Sequence, residues 1–234
     1  RDLPAANGAR RDAERFVELA HRTLGVPEDH VITALGERAT RSDISKQIGK
    51  LSGMVGPSSR IYFYFGGHGS PHVKSGKPYL LPYDADPKGL EDTALQLDDV
   101  VARLEKSGAK DVLAVVDACF SGTGGRSVLP EGTRPLVPVE AVEADKGRVA
   151  IFSASASDQI SGAGASGGGL FSQYVMKGLG SGAADIDGNG IISLAELTQW
   201  VSPRVTREAK EQSREQTPTL STGPGIEAAD WIVT

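Results

Sequence analysis

The sequence predicts an α/β fold, in which a mostly parallel central sheet is covered by helices on both faces. Two apolar runs, Ile61–Phe65 and Val112–Val116, are continuous rather than alternating, which is typical of strands that are buried on both sides. Amphipathic stretches separate such runs, and in the first of them apolar residues recur at helical spacing from Phe16 to Leu24. We therefore expect strands and helices to alternate within a single domain over residues 1–234.

The same criteria predict the remaining elements. Further strands are expected at His30–Leu35, Arg148–Ser153 and Ala228–Val233. Further helices are expected at Ser42–Val55, Leu95–Lys106, Leu170–Leu179 and Ser193–Glu211, and Pro203 should kink or restart the last of them. Residues 122–147 are rich in glycine and proline without periodicity, which predicts a long exposed loop.

Composition limits the function. The net charge is −5, which disfavours nucleic acid or an anionic membrane as partner. No apolar run approaches the roughly 18 residues that span a bilayer, and no signal-like segment opens the sequence. The one cysteine is compatible with a reducing compartment, so the cytoplasm is the default expectation, and nothing indicates an oligomeric state.

Two glycine-flanked motifs each follow a predicted buried strand. His68 lies in Phe65-Gly-Gly-His-Gly-Ser70, and Cys119 lies in Asp117-Ala-Cys-Phe-Ser-Gly122, 51 residues later. Because ligands bind beyond the carboxyl ends of such strands, we expect the two side chains to meet at one accessible rim of the sheet. An imidazole can ionise a thiol and protonate a leaving amine, and the amides of Gly69 and Cys119 could bind an oxyanion.

A lone cysteine after a strand is more often a small core residue, and a lone histidine in such a turn is usually structural. Their joint occurrence at two strand ends favours a catalytic pair over either alternative.

These motifs, together with Tyr79-Leu-Leu-Pro-Tyr-Asp-Ala-Asp86, resemble the caspase-like cysteine peptidases, and among these the metacaspase-like members. The resemblance covers nearly the whole chain. It implies a caspase–haemoglobinase fold and peptide hydrolysis through a thioester, for which no cofactor is required. It also implies a calcium site at Asp98 and Asp99, with a further ligand from Asp84 or Asp86.

The resemblance implies a preference for basic residues. Asp117 stands where metacaspases have a pocket aspartate, Asp12 matches a second one thirteen residues before a glycine, and Ser153 resembles a residue that lines the pocket. Two carboxylates in a desolvated pocket favour a substrate Arg or Lys before the scissile bond. The alternatives are that Asp12 is a solvated residue of the first helical turn and that Asp117 is a turn residue.

The resemblance also bears on maturation and on the start of the chain. In this clan the segment after the nucleophile is often cut, and Arg126, Arg134, Lys146 and Arg148 lie in or beside it here. Family members have a central strand before the first helix, whereas this sequence starts just after that place. Either the strand lies upstream or another segment fills its place.

Residues 185–196 match the EF-hand calcium loop at every ligand position. The six ligands would be Asp185, Asp187, Asn189, the Ile191 carbonyl, Ser193 and Glu196. Calcium is therefore a candidate ligand, and the alternative is a turn whose acidic residues cap the next helix. A second hypothesis for the whole chain follows, namely a catalytically silent scaffold or calcium-responsive interaction module on the same fold.

Overall fold

The computed structural model describes residues 3, 5–51, 53–120, 149–156, 159, 161–164 and 167–234. The strands are β1 Arg60–Gly66, β2 His68–Pro71, β3 Pro78–Leu81, β4 Leu95–Gln96, β5 Asp111–Asp117, β6 Val149–Ser153 and β7 Thr219–Thr222. The helices are α1 Ala9–Arg22, α2 Arg41–Leu51, α3 Leu90–Thr93, α4 Leu97–Glu105, α5 Leu170–Gly180 and α6 Leu194–Glu211. Two short 3₁₀ helices, Glu28–His30 and Gly36–Arg38, lie between α1 and α2.

The main sheet has the strand order β1-β5-β6-β7. The first three strands are parallel, and β7 is antiparallel to β6. Every residue of β5 is buried, as its unbroken apolar pattern predicts. The α/β fold with a mostly parallel sheet is therefore confirmed.

Side chains alternate between the two faces of the sheet. Leu113 and Val115 belong to a core that also contains residues of α1, α5 and α6. Val112 and Ala114 belong to a second core with residues of α2 and α4. This is why β5 must be apolar at successive positions, since each face of the strand packs against a different set of helices.

A small antiparallel sheet, of order β2-β3-β4, lies directly after β1 along the chain. It pairs His68 with Leu81 and Gly69 with Leu80. These strands have two to four residues, too few to give a periodic pattern, and they were not predicted.

Two strand predictions are wrong. In the described part of the chain, His30–Leu35 pairs with no other strand. His30 is the last residue of a 3₁₀ helix, and residues 31–35 do not form a strand. Ala228–Val233 makes an isolated bridge between Ile232 and Ser193 instead of a strand. Apolar residues favour an extended backbone, but a strand also needs a hydrogen-bonded neighbour.

Helix α6 continues through Pro203 as a single element of 18 residues, so the proline does not restart the helix. Its start has a capping box: the Ser193 hydroxyl accepts from the Glu196 amide at 3.2 Å, and the Glu196 carboxylate accepts from the Ser193 amide at 2.9 Å. The predicted loop at 122–147 lies outside the described residues.

Candidate active site

The carboxyl ends of β1 and β5 lie side by side, because the two strands are parallel and Gly66 pairs with Asp117. The Gly67 amide donates to the Asp117 carbonyl oxygen at 3.2 Å, which extends the contact beyond the strands. The two predicted motifs therefore leave the sheet at the same rim.

His68 is the first residue of β2, and only Gly67 separates it from the end of β1. Antiparallel pairing with β3 sets its backbone opposite Leu81, and only 5% of the residue is exposed. A short sheet built on the rim thus fixes the position of the histidine.

Gly69 packs against the backbone of the cysteine motif. A Cβ atom on Gly69 would lie 2.7 Å from the Cys119 carbonyl oxygen and 2.8 Å from the ring of Phe120. Because real Cβ atoms do not approach so closely, only glycine fits here without a shift of the backbone. The structure therefore brings the His-Gly turn and the cysteine motif into direct contact.

Cys119 follows β5 by two residues, and its side chain is completely buried. The thiol donates a hydrogen bond to the Gln159 carbonyl oxygen, with 3.6 Å between sulfur and oxygen. The expectation of an accessible thiol is therefore not met in this conformation, since the backbone at Gln159 lies against the sulfur.

Asp117, the last residue of β5, is buried and accepts hydrogen bonds from two serines. One carboxylate oxygen accepts from the Ser161 hydroxyl at 2.7 Å. The other accepts from the Ser172 hydroxyl at 2.6 Å and from the Ser172 amide at 3.3 Å. Since Ser172 is the third residue of α5, the carboxylate binds one of the free amides at that helix terminus.

Asp12 lies in α1 and is buried, so the alternative of a solvated first-turn residue is wrong. Its carboxylate accepts from the amide of Gly169, the N-cap residue of α5, at 2.7 Å. A Cβ on Gly168 would lie 2.2 Å from an Asp12 carboxylate oxygen, so the chain before α5 passes directly over this acid. Asp12 and Asp117 are thus brought to the same end of α5.

Ser153, the third predicted pocket residue, ends β6 and is 3% exposed. It pairs with Val116, so it lies at the same rim, next to the strand that carries Asp117. All three predicted pocket residues therefore lie at or beside the carboxyl end of β5.

Several polar contacts of this rim were not predicted. Ser161 and Ser172 hold Asp117, and buried Gln216 accepts from the Gly162 amide at 3.1 Å and donates to the Ala154 carbonyl at 3.0 Å. The only sequence signal was a serine- and glycine-rich stretch, which is typical of any loop.

The candidate calcium loop folds around its own acidic side chains. Asp185 accepts from the amides of Gly188, Asn189 and Gly190, and Gly190 has a φ of 82°, as the sixth position of such a loop requires. Hydrogen bonds from Ser193 lower the pKa of Glu196 below its ordinary value.

Carboxylate oxygens of Asp185, Asp187 and Glu196 all lie within 4.8 Å of one another. Calcium binds oxygens at about 2.3–2.6 Å, so two ligands of one ion can be at most about 5 Å apart, and these three fit one ion. Among the described residues no second acidic group of three meets this criterion, so Asp98 and Asp99 form no such site there.

Comparison with known proteins defines the class. The model of the Caspase domain, the Peptidase_C14 family, matches residues 2–224, so the chain belongs to the caspase-domain family. The fold is thereby the caspase fold, as the resemblance in the sequence implied.

Two solved structures illustrate the likeness in fold. The protein GSU0716 of Geobacter sulfurreducens superimposes with a TM-score of 0.66 at 19% identity, over 95% of this chain and 86% of that one. Caspase-1 of Spodoptera frugiperda gives 0.62 at 15% identity, over 95% and 83%. Among curated proteins none matches the sequence significantly. No helix in the described ranges is long and apolar enough to cross a membrane.

Proposed function

We propose that the protein is a cysteine endopeptidase with Cys119 as nucleophile and His68 as general acid and base. The single observation that carries the proposal is the contact of the His68-Gly69 turn with the Cys119 backbone at the rim of the sheet. Membership of the caspase-domain family supports peptide hydrolysis as the reaction.

The reaction follows from these groups. His68 takes the proton of the Cys119 thiol and becomes an imidazolium. The thiolate attacks the peptide carbonyl carbon, and as the C–S bond forms the carbonyl π electrons move to oxygen, giving an oxyanion that the amides of Gly69 and Cys119 stabilise. Collapse breaks the C–N bond as the His68 imidazolium protonates the leaving amine. Water, losing a proton to His68, then hydrolyses the thioester and restores the thiol. Since the thiol is buried in this conformation, the backbone at Gln159 has to move before a substrate reaches the sulfur.

Substrates are proteins or peptides with Arg or Lys before the scissile bond. The convergence of Asp12 and Asp117 on one end of α5, beside Ser153, supports this specificity. Removing one partner of a buried pair of opposite charges leaves the other charge unpaired, which costs about 2–5 kcal/mol of binding free energy. The alternative is that Asp12 and Asp117 only cap α5. The two roles can be distinguished, because only a pocket role makes the effect of their mutation depend on the charge of the substrate.

Three finer properties belong to the same proposal. The domain extends over residues 1–234. Its single cysteine is compatible with the cytoplasm. The basic residues in or beside residues 122–147 are sites of self-cleavage. Self-cleavage predicts that active protein, but not Cys119→Ala, gives two fragments on prolonged incubation. Recovery of intact chain alone would contradict it.

Residues 185–196 form a calcium site in this proposal, with Asp185, Asp187, Asn189, the Ile191 carbonyl, Ser193 and Glu196 as ligands. The spacing of the three carboxylates supports it. The capping box instead favours a purely structural role for Ser193 and Glu196, as caps of α6. Calorimetric titration with calcium decides between calcium binding and helix capping.

The test of the main proposal uses fluorogenic peptides that end in Arg, Lys or Asp, each with and without calcium. We expect turnover of the Arg and Lys peptides only, and none by Cys119→Ala. Calcium binding without turnover of any peptide would instead favour the silent scaffold or interaction module.

A further inference from the structure

Residues 231–234 run antiparallel to residues 192–194, the part of the candidate calcium loop that leads into α6. The Ile192 amide donates to the Thr234 carbonyl oxygen at 3.3 Å. The Ile192 carbonyl oxygen accepts from the Val233 amide at 2.8 Å. The 231–234 segment thus binds Ile192, the eighth residue of the loop, through both of its backbone polar groups.

This pairing fixes the two peptide units on either side of Ile192. Both are trans, and the carbonyl and amide groups of a planar trans peptide point in opposite directions. Because the Ile192 amide points to Thr234, the Ile191 carbonyl, which belongs to the same peptide unit, points away from the segment. Because the Ile192 carbonyl points to Val233, the Ser193 amide points away from it as well.

The side that faces away from the segment is the side of the acidic groups. The Ser193 amide donates there to the Glu196 carboxylate at 2.9 Å. Carboxylate oxygens of Glu196, Asp185 and Asp187 lie within 4.8 Å of one another. Within the described ranges no backbone amide donates to the Ile191 carbonyl oxygen. Carboxylates of one sign and a carbonyl dipole turned to the same side repel one another unless a cation lies between them.

The 231–234 segment is itself held by the main sheet. The Tyr62 hydroxyl donates to the Val233 carbonyl oxygen at 3.0 Å, and the Arg60 guanidinium donates to the Ile232 carbonyl oxygen. Both Tyr62 and Arg60 belong to β1, and the Val233 side chain is buried. The sheet therefore fixes the segment independently of any ion, and a ligand that is held in place in advance costs less to bind.

We propose that the 231–234 segment positions the Ile191 carbonyl for calcium, and that bound calcium in turn strengthens the contact between the segment and the loop. This inference rests on the calcium site of the proposed function and not on peptidase activity. A carbonyl oxygen that coordinates calcium draws electrons from its peptide unit, so the Ile192 amide becomes a stronger donor to Thr234. Since coupling is reciprocal, a change that loosens the segment also weakens calcium binding.

The test is calorimetric titration of the native protein and three variants with calcium as the only ligand. Val233→Pro removes the amide that donates to Ile192, whereas Val233→Ala shortens the same side chain and keeps that amide. Ile232→Pro adds the same ring at a position whose amide makes no backbone hydrogen bond to the loop. We expect Val233→Pro to bind calcium about tenfold more weakly than either control variant.

Amide signals of the native protein supply a second measurement. We expect calcium to shift the Ile192 amide resonance and to slow hydrogen exchange of the Ile192 and Val233 amides at least about threefold. The Leu194 amide donates to the Trp231 carbonyl oxygen at 2.8 Å from a peptide unit that holds no carbonyl ligand, so its resonance should change less.

The outcomes separate this inference from the calcium site on which it rests. Equal calcium affinity of all four proteins would leave the site standing and overturn the positioning by the segment. If the native protein binds no calcium, the site itself is wrong and the inference falls with it. If Val233→Pro does not fold, the second measurement decides, because an Ile192 amide that bound calcium leaves unchanged would overturn the inference.

Discussion

Asp12 and Asp117 bind the same end of helix α5 from two distant parts of the chain. Asp12 accepts from the amide of the N-cap residue Gly169, and Asp117 accepts from the amide and hydroxyl of Ser172. The positive end of the helix dipole attracts both carboxylates. These donors stabilise two buried acids of one sign, and in the proposed function the same two acids receive a basic side chain of the substrate.

The first prediction concerns substrate charge. We expect Asp117→Asn and Asp12→Asn each to lower kcat/KM for an Arg peptide by about 30-fold to several thousand-fold, the equivalent of about 2–5 kcal/mol. For the matching citrulline peptide, which is uncharged and of similar shape, kcat/KM should change little. The ratio of the two values is the measurement.

Asp230→Asn, at an exposed position, is the matched control and should leave the ratio unchanged. If both peptides lose activity equally while the free energy of unfolding falls, the two acids only cap α5 and the proposed specificity is wrong.

The second prediction concerns the contact between the two motifs. Gly69→Ala places a methyl group 2.7 Å from the Cys119 carbonyl oxygen, so the backbone must shift. We expect a loss of about 1–3 kcal/mol in the free energy of unfolding, together with a larger fall in kcat than in 1/KM, because the proposed oxyanion donors would move. Urea unfolding and steady-state kinetics measure the two effects.

Gly49→Ala is the matched control, since it lies in α2 and its added Cβ meets nothing within 4 Å. It should stabilise the protein by about 0.5–1 kcal/mol without affecting activity. Full activity of Gly69→Ala would contradict the placement of the oxyanion donors.

The third prediction concerns Glu196 and pH. Hydrogen bonds from Ser193 lower the pKa of Glu196 in the folded state. A carboxyl group with a lowered folded pKa adds stability above its unfolded pKa of about 4.3, and this stability is lost as pH falls through the folded pKa. With calcium removed by a chelator, Glu196→Gln should therefore have a lower free energy of unfolding than the native protein at pH 7. The difference in unfolding free energy should disappear in acid.

Glu211→Gln, which removes a carboxylate at the exposed end of α6, is the matched control. Calcium should stabilise the native protein and the Glu211 variant but not Glu196→Gln, because the twelfth loop position supplies a bidentate ligand. A difference between native protein and Glu196→Gln that persists unchanged at pH 3 would contradict the assigned hydrogen bonds.

The parallel sheet could be predicted because each buried strand carries its own signal. Val112–Val116 is continuous and apolar, so its burial on both faces follows from the sequence alone. His30–Leu35 is similar in character, but among the residues that the structure describes it pairs with no other strand, because strand formation also depends on a neighbour that no local pattern specifies. The sequence therefore predicted the strands whose burial follows from their own residues, and it failed where strand formation depends on a distant partner.

The site divides in the same way. Residues that follow strands, such as His68 and Cys119, could be placed at one rim from topology. The burial of the thiol against Gln159 could not be foreseen, because it depends on how a serine- and glycine-rich segment folds back over the rim. The roles of Ser161 and Ser172 as partners of Asp117 were hidden for the same reason.

The most direct measurement treats the folded protein with a peptide that ends in an arginyl halomethyl ketone and identifies the adduct by mass spectrometry. A thioether on Cys119, absent with the aspartyl reagent and absent in His68→Ala, is the result that we predict. It would mean that the buried thiol becomes accessible, is activated by the imidazole and is selected through a basic side chain. A thiol that reacts only after unfolding, or equally with both reagents, would contradict the account.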